Sequence, residues 1–304
     1  MRVLTPDVET IGEARALLGE GVIWQPETKT VLWVDIVGRR VIETDPATGA
    51  AKEWPFPEQT AFVQPAADGT WLVGQQRGIV RFDPASGRTT PFVDIEADDP
   101  ATRTNDAACD PAGRLVVGTM RLPEAGLAPV GSLYRVTGDG NVTVLDSGLY
   151  VPNGIAFSPD GRIAYWADTY KTRRQIWSAD HDPDSGRLGP KRPFATIAEA
   201  DGRPDGAAVD AAGCYWVAAV WGWQLLRFTP KGTVDLAVRL PVQRPTKLAF
   251  GGPDLTTIFV VSIADDDGAG PAKANPSMAG RLLALNLGIA GLPPVRFRGV
   301  GRSN

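Results

Sequence analysis

Histidine is nearly absent from this sequence, since His181 is the only one in 304 residues. It lies in the turn-rich segment SADHDPDSGR (residues 178–187), which predicts a position at the surface. A Ser-His-Asp triad needs an imidazole beside its nucleophile, and a multi-histidine zinc site needs two or three. The sequence therefore argues strongly against both kinds of site.

Cysteine is almost as scarce, with only Cys109 and Cys214. Two cysteines are too few for the disulfide framework of a secreted domain. Both lie among small or apolar residues, beside or within a predicted hairpin turn. The sequence therefore predicts two reduced structural thiols.

The sequence also lacks a run of basic residues and a long apolar run. A formal net charge of -4 without a basic cluster argues against nucleic acid as a partner. The segment MRVLTPDVETIGEARALLGE carries acids and a proline where a signal peptide would need an unbroken apolar run, and no window approaches the length of a membrane span. We therefore expect a cytoplasmic protein with no membrane partner.

What the sequence does contain is a repeat with a period of 44 to 52 residues. Four hairpin-turn glycines recur at this spacing, each followed by a short strand rich in aliphatic or aromatic residues: Gly69, Gly113, Gly161 and Gly213. Similar strands in residues 27–36 and 254–263 extend the series to six units, and each unit continues into a second hairpin. Four strands per unit are typical of propeller blades, and no sustained 3.6-residue apolar period indicates helices. The sequence thus predicts an all-β fold: one domain over residues 1–304, a single six-bladed β-propeller with four-stranded antiparallel blades. It leaves open whether a strand near residues 2–4 closes the last blade.

The register of the repeat brings six residues to equivalent positions. Counting back eight positions from each turn glycine, or from Thr28 and Asp254 in the first and last units, gives Glu20, Ala61, Asn105, Asn153, Asp205 and Thr246. The innermost strand of each blade lines the central channel, so these residues form a ring at one channel mouth. Two carboxylates and two amides in that ring are oxygen donors suited to a hard divalent cation.

A plain alternative is that these are turn residues, because Asn-Gly and Asp-Gly are common turn dipeptides. The register, however, places them before the strand and not at the hairpin tip, and Glu20 has no special turn preference. Two carboxylates close together without a cation would also raise the pKa of at least one of them. Taken together, the four positions favour metal binding.

Several stretches resemble the family of gluconolactonase, senescence marker protein (regucalcin) and luciferin-regenerating enzyme. They are GEGVIW (19–24), RTNDAACDPAGRLVVGTM (103–120), VPNGIAFSPDGR (151–162), RPDGAAVDAAGCYWVA (203–218) and KLAFGG (247–252). The resemblance runs from about residue 13 to about residue 299. It implies a six-bladed propeller that hydrolyses sugar lactones and binds one divalent metal ion, calcium in first place, with zinc, magnesium, manganese or iron as alternatives.

The same resemblance assigns roles to individual residues. It implies metal ligands at Glu20, Asn153 and Asp205, with Asn105 near the metal and able to contact substrate. It also suggests Arg103 as a substrate-binding residue at the rim. The chain departs from the family at Lys247, where serine is frequent, and at Trp221 and Trp223, where a glycine-rich turn is frequent. The Lys247 ammonium is expected near the cavity. The indoles of Trp221 and Trp223 are expected either to line the pocket or to pack within the blade.

The segment 121–132 is either a lid, with Glu124 available to a sugar hydroxyl, or a plain exposed loop. Asp106 is expected to hold its loop. The acidic and then Gly-, Pro- and Ala-rich stretch 264–280 is expected to be a mobile surface excursion. Its Asp265, Asp266 and Asp267 are expected to be solvated, with a second cation site as the alternative.

Together with this resemblance, the ring residues lead us to expect a metal-dependent lactonase whose partner is a small sugar lactone. Asp205 is the expected general base, because a carboxylate at the metal edge is the only well-placed type of proton acceptor in the ring; Glu20 competes for that role but is assigned as a structural ligand. Two alternatives stay open: a metal-dependent hydrolase of another ester or phosphoester, and a non-catalytic calcium-binding propeller. Since propellers expose few strand edges, we expect a monomer or a weak homo-oligomer.

Overall fold

The structure, a computed structural model, describes residues 1–264 and 277–299. The expected acidic excursion, with Asp265, Asp266 and Asp267, lies almost wholly outside the described residues. Within them there are 25 strands and two short 3-10 helices, Pro123–Ala125 and Glu199–Asp201. In chain order the strands are β1 (Arg2–Leu4), β2 (Glu9–Arg15), β3 (Gly19–Gln25), β4 (Thr30–Asp35), β5 (Arg40–Thr44), β6 (Ala51–Pro55), β7 (Phe62–Pro65), β8 (Trp71–Gln75), β9 (Gly78–Asp83), β10 (Arg88–Asp94), β11 (Thr102–Cys109), β12 (Leu115–Arg121), β13 (Gly131–Val136), β14 (Val142–Leu149), β15 (Pro152–Phe157), β16 (Ile163–Asp168), β17 (Gln175–Asp180), β18 (Arg192–Thr196), β19 (Arg203–Val209), β20 (Tyr215–Val220), β21 (Gln224–Phe228), β22 (Val234–Arg239), β23 (Pro245–Gly251), β24 (Thr257–Ser262) and β25 (Arg281–Asn286).

The strands form six sheets that close into a ring. Blades 1 to 5 run outward in chain order, from β3 to β6, β7 to β10, β11 to β14, β15 to β18 and β19 to β22, and blade 6 has the order β23-β24-β25-β2. Each innermost strand contacts the innermost strand of the next blade, and β23 contacts β3. This architecture confirms the predicted six-bladed all-β propeller with four-stranded antiparallel blades.

The last blade combines the two ends of the described chain. Its outer strand is β2, which pairs antiparallel with β25 and places Glu9 opposite Ala284. The short strand at residues 2–4 does not close that blade. It adds a fifth, parallel strand to the outer edge of blade 5, with Val3 opposite Ala237 on β22.

The core lies between the blades. Six clusters of buried apolar residues occur, one between each pair of neighbouring sheets. The largest fully buried side chains are Trp33, Trp166 and Trp216, each on the second strand of its blade. An aromatic side chain buries about 150–250 Å², so each indole contributes roughly 4–6 kcal/mol of hydrophobic stabilisation.

The turns behave as the repeat predicts. The four turn glycines at positions 69, 113, 161 and 213 all have φ between 69° and 84°, the left-handed region that favours glycine. The turns lie at the channel mouth opposite the ring of polar residues. A carboxy-terminal strap, residues 288–299, crosses this lower mouth: Phe297 donates its backbone N–H to the Pro65 carbonyl, and Arg298 donates to the Gly113 carbonyl.

The structure corrects the predicted surface position of His181. Its side chain is buried against Phe157. The imidazole Nδ1 lies 2.5 Å from the Gly161 carbonyl oxygen, and Nε2 lies 3.5 Å from Oδ2 of Asp110. The neighbouring turn residues are exposed as expected, but the imidazole itself faces inward and ties blade 4 to blade 3. Cys109 and Cys214 are both unpaired and buried, as predicted. No helix of the described chain is long and apolar enough to cross a membrane.

Candidate metal and substrate site at the channel mouth

The six register-equivalent positions converge at the upper channel mouth. Five of the inner strands carry a break in their pairing register at this point, for example between Glu20 and Ile23 on β3 and between Pro204 and Ala207 on β19. Such a β-bulge re-aims side chains, and here it accompanies each polar residue of the ring. Ala61 has no oxygen that could bind a metal, and the Thr246 hydroxyl donates a hydrogen bond to the Gly19 carbonyl. The polar part of the ring is therefore formed by Glu20, Asn105, Asn153 and Asp205.

A continuous chain of hydrogen bonds orients the amide side of the ring. Arg103 Nη1 donates to Asn105 Oδ1 at 2.8 Å, and Asn105 Nδ2 donates to Asn153 Oδ1, also at 2.8 Å. Asn153 Nδ2 then donates to the hydroxyl of Thr169 at 2.8 Å, and that hydroxyl donates to the carbonyl of Pro204. Because Pro204 precedes Asp205, this chain links blades 3, 4 and 5 around the mouth.

The two ring carboxyls are buried beside each other. Glu20 is 9% exposed and Asp205 is 7% exposed, and Glu20 accepts a hydrogen bond from the Gly21 backbone N–H at 3.1 Å. Burial, together with the charge of Asp106, raises the pKa of Glu20 to about 7. Burial also raises the pKa of Asp205 well above its ordinary value, and the charges of Glu20 and Asp106 act in the same direction. Without a counter-ion, these carboxyls favour their protonated forms.

The residues present fit a hard divalent cation. Oδ1 of Asp205 is buried and has no hydrogen-bond partner, and a buried carboxylate oxygen in that state is costly unless a cation or proton meets it. Carboxylate and amide oxygens are the ligands that calcium and similar ions prefer. No three His, Cys, Asp or Glu side chains of the described chain gather as a metal-binding group, so the Asn153 amide is needed to complete such a set.

Arg103 and Glu124 lie at the same rim, close enough for their charges to interact. Arg103 is 6% exposed, and burial lowers its pKa to about 10 against the opposing charges of Glu20, Glu124 and Asp205, so the guanidinium remains cationic at neutral pH. Glu124 lies in the exposed 3-10 turn that connects β12 to β13 at this mouth. The structure thus brings the predicted substrate-binding residues Arg103, Asn105 and Glu124 to the same side as the ring.

Sequence analysis missed two further arginines in the register of Arg103. Arg203 and Arg244 each precede a ring position by two residues, as Arg103 precedes Asn105. Arg203 is half-buried near Arg174 and Tyr170, whereas Arg244 is buried, donates to the Ala264 carbonyl and lies 5.2 Å from the ring of Trp221. The same backward count that found the ring, lengthened from eight to ten positions, would have found them.

The two tryptophans that replace the family's glycine-rich turn lie between β20 and β21. Trp221 and Trp223 are both half-buried and have φ of 71° and 60°, unusual values for bulky residues. Because β20 ends at the upper mouth, this turn belongs to the same rim as Arg203. Trp221 contacts Arg244, and neither indole is fully buried in the blade core.

The ring is separate from the apolar channel below it. That channel holds a cavity of about 660 Å³, lined largely by apolar residues of the inner strands and by the carboxy-terminal strap. Lys247 lies between the two regions and belongs to the cavity lining. The two carboxylates and two amides of the ring do not line this cavity, so the ring is the candidate site.

Two carboxylates and two amides converge at one channel mouth of a six-bladed propeller. The protein is therefore a β-propeller with a candidate divalent-metal site. Residues 18–264 match the model of the SMP-30/Gluconolactonase/LRE-like region. The chain belongs to this family, which confirms the resemblance seen in the sequence.

Named relatives span nearly the whole chain. Pentonolactonase XacC from Haloferax volcanii is 33% identical over 95% of this chain and 97% of its own length. L-arabinolactonase from Azospirillum brasilense is 32% identical over 96% of each. The solved structure of regucalcin from Agrobacterium tumefaciens, described as a calcium-binding protein, is 28% identical, with a TM-score of 0.91 over 98% of this chain and 99% of that one.

We expect the metal-free protein to lose stability as the pH rises. The pKa of Glu20, raised to about 7, means that between about pH 4.5 and 7 the folded metal-free protein binds more protons than the unfolded chain. By linkage, the free energy of unfolding therefore falls as the pH rises through this window. The melting temperature of chelator-treated protein should fall between pH 5 and pH 8, and added Ca²⁺ should raise it more at pH 8 than at pH 5.5.

The matched control for this prediction is Glu20→Gln, which keeps the size of the side chain and cannot titrate. Its melting temperature should change less with pH than that of the unaltered chain. A metal-free protein whose stability rises steadily from pH 5 to pH 8 would contradict the assignment of a protonated carboxyl to the ring.

Proposed function

We propose that this chain is a metal-dependent hydrolase that opens the ring of a sugar lactone to the aldonic acid. Its class is that of the lactonases, which are carboxylic ester hydrolases, as its family membership and its named relatives support. The observation that carries the proposal is the buried, unpartnered Oδ1 of Asp205 beside Glu20 and the amide chain of Asn105 and Asn153.

Glu20, Asn153 and Asp205 are the residues that would hold the ion. A divalent ion bound there supplies Lewis-acid polarisation of the lactone carbonyl and offsets negative charge that develops on its oxygen. This chemistry needs no imidazole, which agrees with the single histidine lying buried in contact with Gly161 and Asp110.

Asp205 is the proposed general base. In lactone hydrolysis the oxygen of a water forms a bond to the carbonyl carbon and the ring C–O bond breaks. The Asp205 carboxylate takes the proton of that water and returns it to the departing ring oxygen. The new carboxylic acid then ionises and releases one proton at neutral pH. Glu20, which accepts the Gly21 N–H, is oriented by the backbone as a structural ligand.

Arg103 and Asn105 are proposed to orient the lactone. The hydrogen bond between them fixes the guanidinium at the rim, from where it can donate to the ring or carbonyl oxygen. Glu124 lies on the exposed side of the same rim and is proposed to accept from a sugar hydroxyl. Calcium is the first candidate metal, because the structural relative from Agrobacterium tumefaciens is described as a calcium-binding protein.

The decisive experiment measures proton release with a pH indicator. A panel of pentono- and hexonolactones is offered to metal-stripped protein and to protein supplied with Ca²⁺, Zn²⁺, Mg²⁺, Mn²⁺ or Fe²⁺. We expect turnover of one lactone class that requires an added ion. Only background hydrolysis, together with tight Ca²⁺ binding, would instead support a calcium-binding propeller, and turnover of other esters alone would support a different hydrolase.

Replacing Arg103 by alanine is expected to raise KM for the lactone by about 10- to 100-fold, the range of one to two charge-assisted hydrogen bonds. Ca²⁺ binding should be retained, because the ligand side chains are all present, and its affinity should rise because a positive charge near Glu20 and Asp205 is lost. Steady-state kinetics and a chelator competition measure the two quantities.

Arg192→Ala is the matched control, since Arg192 pairs with Asp180 at an exposed position of blade 4. Its KM should not change. An Arg103→Ala variant with unaltered KM would remove Arg103 from the substrate site.

A further inference from the structure

Lys247 and Asp106 form a buried ion pair across the channel, directly beneath the ring. Lys247 Nζ donates to Asp106 Oδ1 and to the Ala107 carbonyl, the latter at 3.2 Å. The lysine belongs to β23 of blade 6 and the aspartate to β11 of blade 3, 141 residues apart in sequence. The side chains are 9% and 2% exposed, so the pair is shielded from solvent.

Asp106 is fixed by backbone donors as well as by the lysine. Its Oδ1 accepts the Ala107 N–H at 2.9 Å, and its Oδ2 accepts the Ile155 N–H of blade 4 at 3.2 Å. This agrees with the expectation that Asp106 holds its loop. Both partners also act electrostatically on the ring: the charge of Asp106 raises the pKa of Glu20 and Asp205, and the charge of Lys247 opposes it.

The path of the lysine side chain explains the glycine after Asp205. A Cβ placed on Gly206 would lie 2.5 Å from Cγ and 2.7 Å from Cβ of Lys247. The lysine stem therefore passes directly over the backbone of Gly206 on its way to Asp106. The ammonium is held in place by packing at its stem as well as by hydrogen bonds at its tip.

Lys247 offsets the charge that Asp106 adds beside the ring. Glu20 and Asp205 supply two carboxylates at the ring, and Arg103 is a cation at its rim. The pair of Asp106 and Lys247 adds no net charge to this set, whereas either residue alone would change it by one unit. We propose that Lys247 is a positioning residue of the metal site, which holds Asp106, offsets its charge and thereby sets the affinity of the ring for a divalent ion. This inference rests on the metal site put forward under the proposed function.

The test is a Ca²⁺ titration of metal-free protein by competition with a chromophoric chelator. Asp106→Asn leaves the ammonium uncompensated near the ion, so we expect Ca²⁺ affinity to fall on the order of tenfold. Lys247→Met leaves the carboxylate uncompensated, so we expect affinity to rise on the order of tenfold. A purely structural tie between the blades would instead weaken binding in both variants.

The double variant Asp106→Asn with Lys247→Met decides the matter if either single variant fails to fold. It removes both charges and the tie together, so charge balance predicts an affinity within about threefold of the unaltered chain, whereas a structural tie predicts weak binding. Lys247→Arg, which keeps the charge, should also stay near the unaltered value. Lys191→Met is the matched control, because Lys191, beside β18 of blade 4, pairs at 2.7 Å with Asp146 on β14 of blade 3, away from the ring.

The outcomes separate this inference from the proposed function. An unaltered chain that binds none of Ca²⁺, Mn²⁺ and Zn²⁺ overturns the metal site and the role of Lys247 with it. An unaltered chain that binds Ca²⁺, with a double variant that binds it more than tenfold more weakly, overturns the role of Lys247 alone.

Discussion

Replacing Asp205 by asparagine is expected to lower kcat by about a thousandfold, within the range of 10² to 10⁴ for loss of a general base. Asparagine keeps the size of the side chain but cannot accept the proton of the attacking water. It also removes one of the two negative charges of the ring, so Ca²⁺ affinity should fall as well. Initial rates of proton release, measured at several Ca²⁺ concentrations, report both effects.

Glu20→Gln distinguishes a ligand from a base. It removes the same amount of charge from the ring, so its Ca²⁺ affinity should fall in a similar way. Saturating Ca²⁺ should restore much of the turnover of Glu20→Gln and little of that of Asp205→Asn. If saturating Ca²⁺ restores both variants equally, Asp205 is a ligand alone, and if only Asp205→Asn recovers, the two assigned roles are reversed.

Both substitutions should leave the metal-free fold intact. Each removes a carboxyl that is buried beside another carboxyl, so the metal-free melting temperature at pH 8 should stay equal or rise. A loss of activity accompanied by a large fall in melting temperature would point to misfolding and would not count as support for the catalytic assignment.

Replacing Asp210 by alanine is expected to destabilise the fold by about 3–5 kcal/mol, the cost of breaking a buried charge pair from one side. Asp210 is fully buried at the turn between β19 and β20. Its Oδ2 accepts from Trp216 Nε1 at 2.9 Å and from Arg227 Nε at 2.8 Å, and its Oδ1 accepts the Cys214 N–H at 2.9 Å. Urea denaturation measures the free energy of unfolding.

Asp83→Ala is the matched control for this prediction. Asp83 also accepts hydrogen bonds within a turn, from the Ala85 N–H at 3.0 Å and from the Ser86 hydroxyl, but the residue is only half-buried and these hydrogen bonds are exposed to solvent. Its removal should cost less than about 1 kcal/mol. Equal losses in the two variants would mean that the turn, and not the buried charge pair, determines the cost.

The blade count and the ring could be predicted because local sequence encodes both. A turn glycine with positive φ marks each of four hairpins, and the count of eight residues back from the turn is a property of one strand. Asn105, Asn153 and Asp205 therefore came from spacing alone. These three side chains lie on different blades, and they come together only when the six blades close into a ring. The period of the repeat implies that closure.

Contacts between distant blades could not be predicted in this way. Local turn signals predicted a surface position for His181. Its buried contacts are with Asp110 and Gly161, which are distant in sequence, so the segment around His181 gives no sign of them. The sequence placed the Lys247 ammonium near the cavity but did not identify Asp106 as its partner. The closing strand β2 was missed because ETIGEAR has no apolar run and its position is set by β25 at the other end of the chain.

The pairing of β2 with β25 also has a consequence for how the protein is made. A ribosome releases β2 first and β25 last among the strands of blade 6, so that blade stays incomplete until residues 281–286 have emerged. The four antiparallel strands of each of blades 1 to 5 are consecutive in sequence and can form during synthesis, whereas ring closure joins partners more than 260 residues apart. Contacts of such long range form slowly, and unpaired strand edges invite aggregation in the interval. β2 therefore has no partner strand in its own blade until β25 is available.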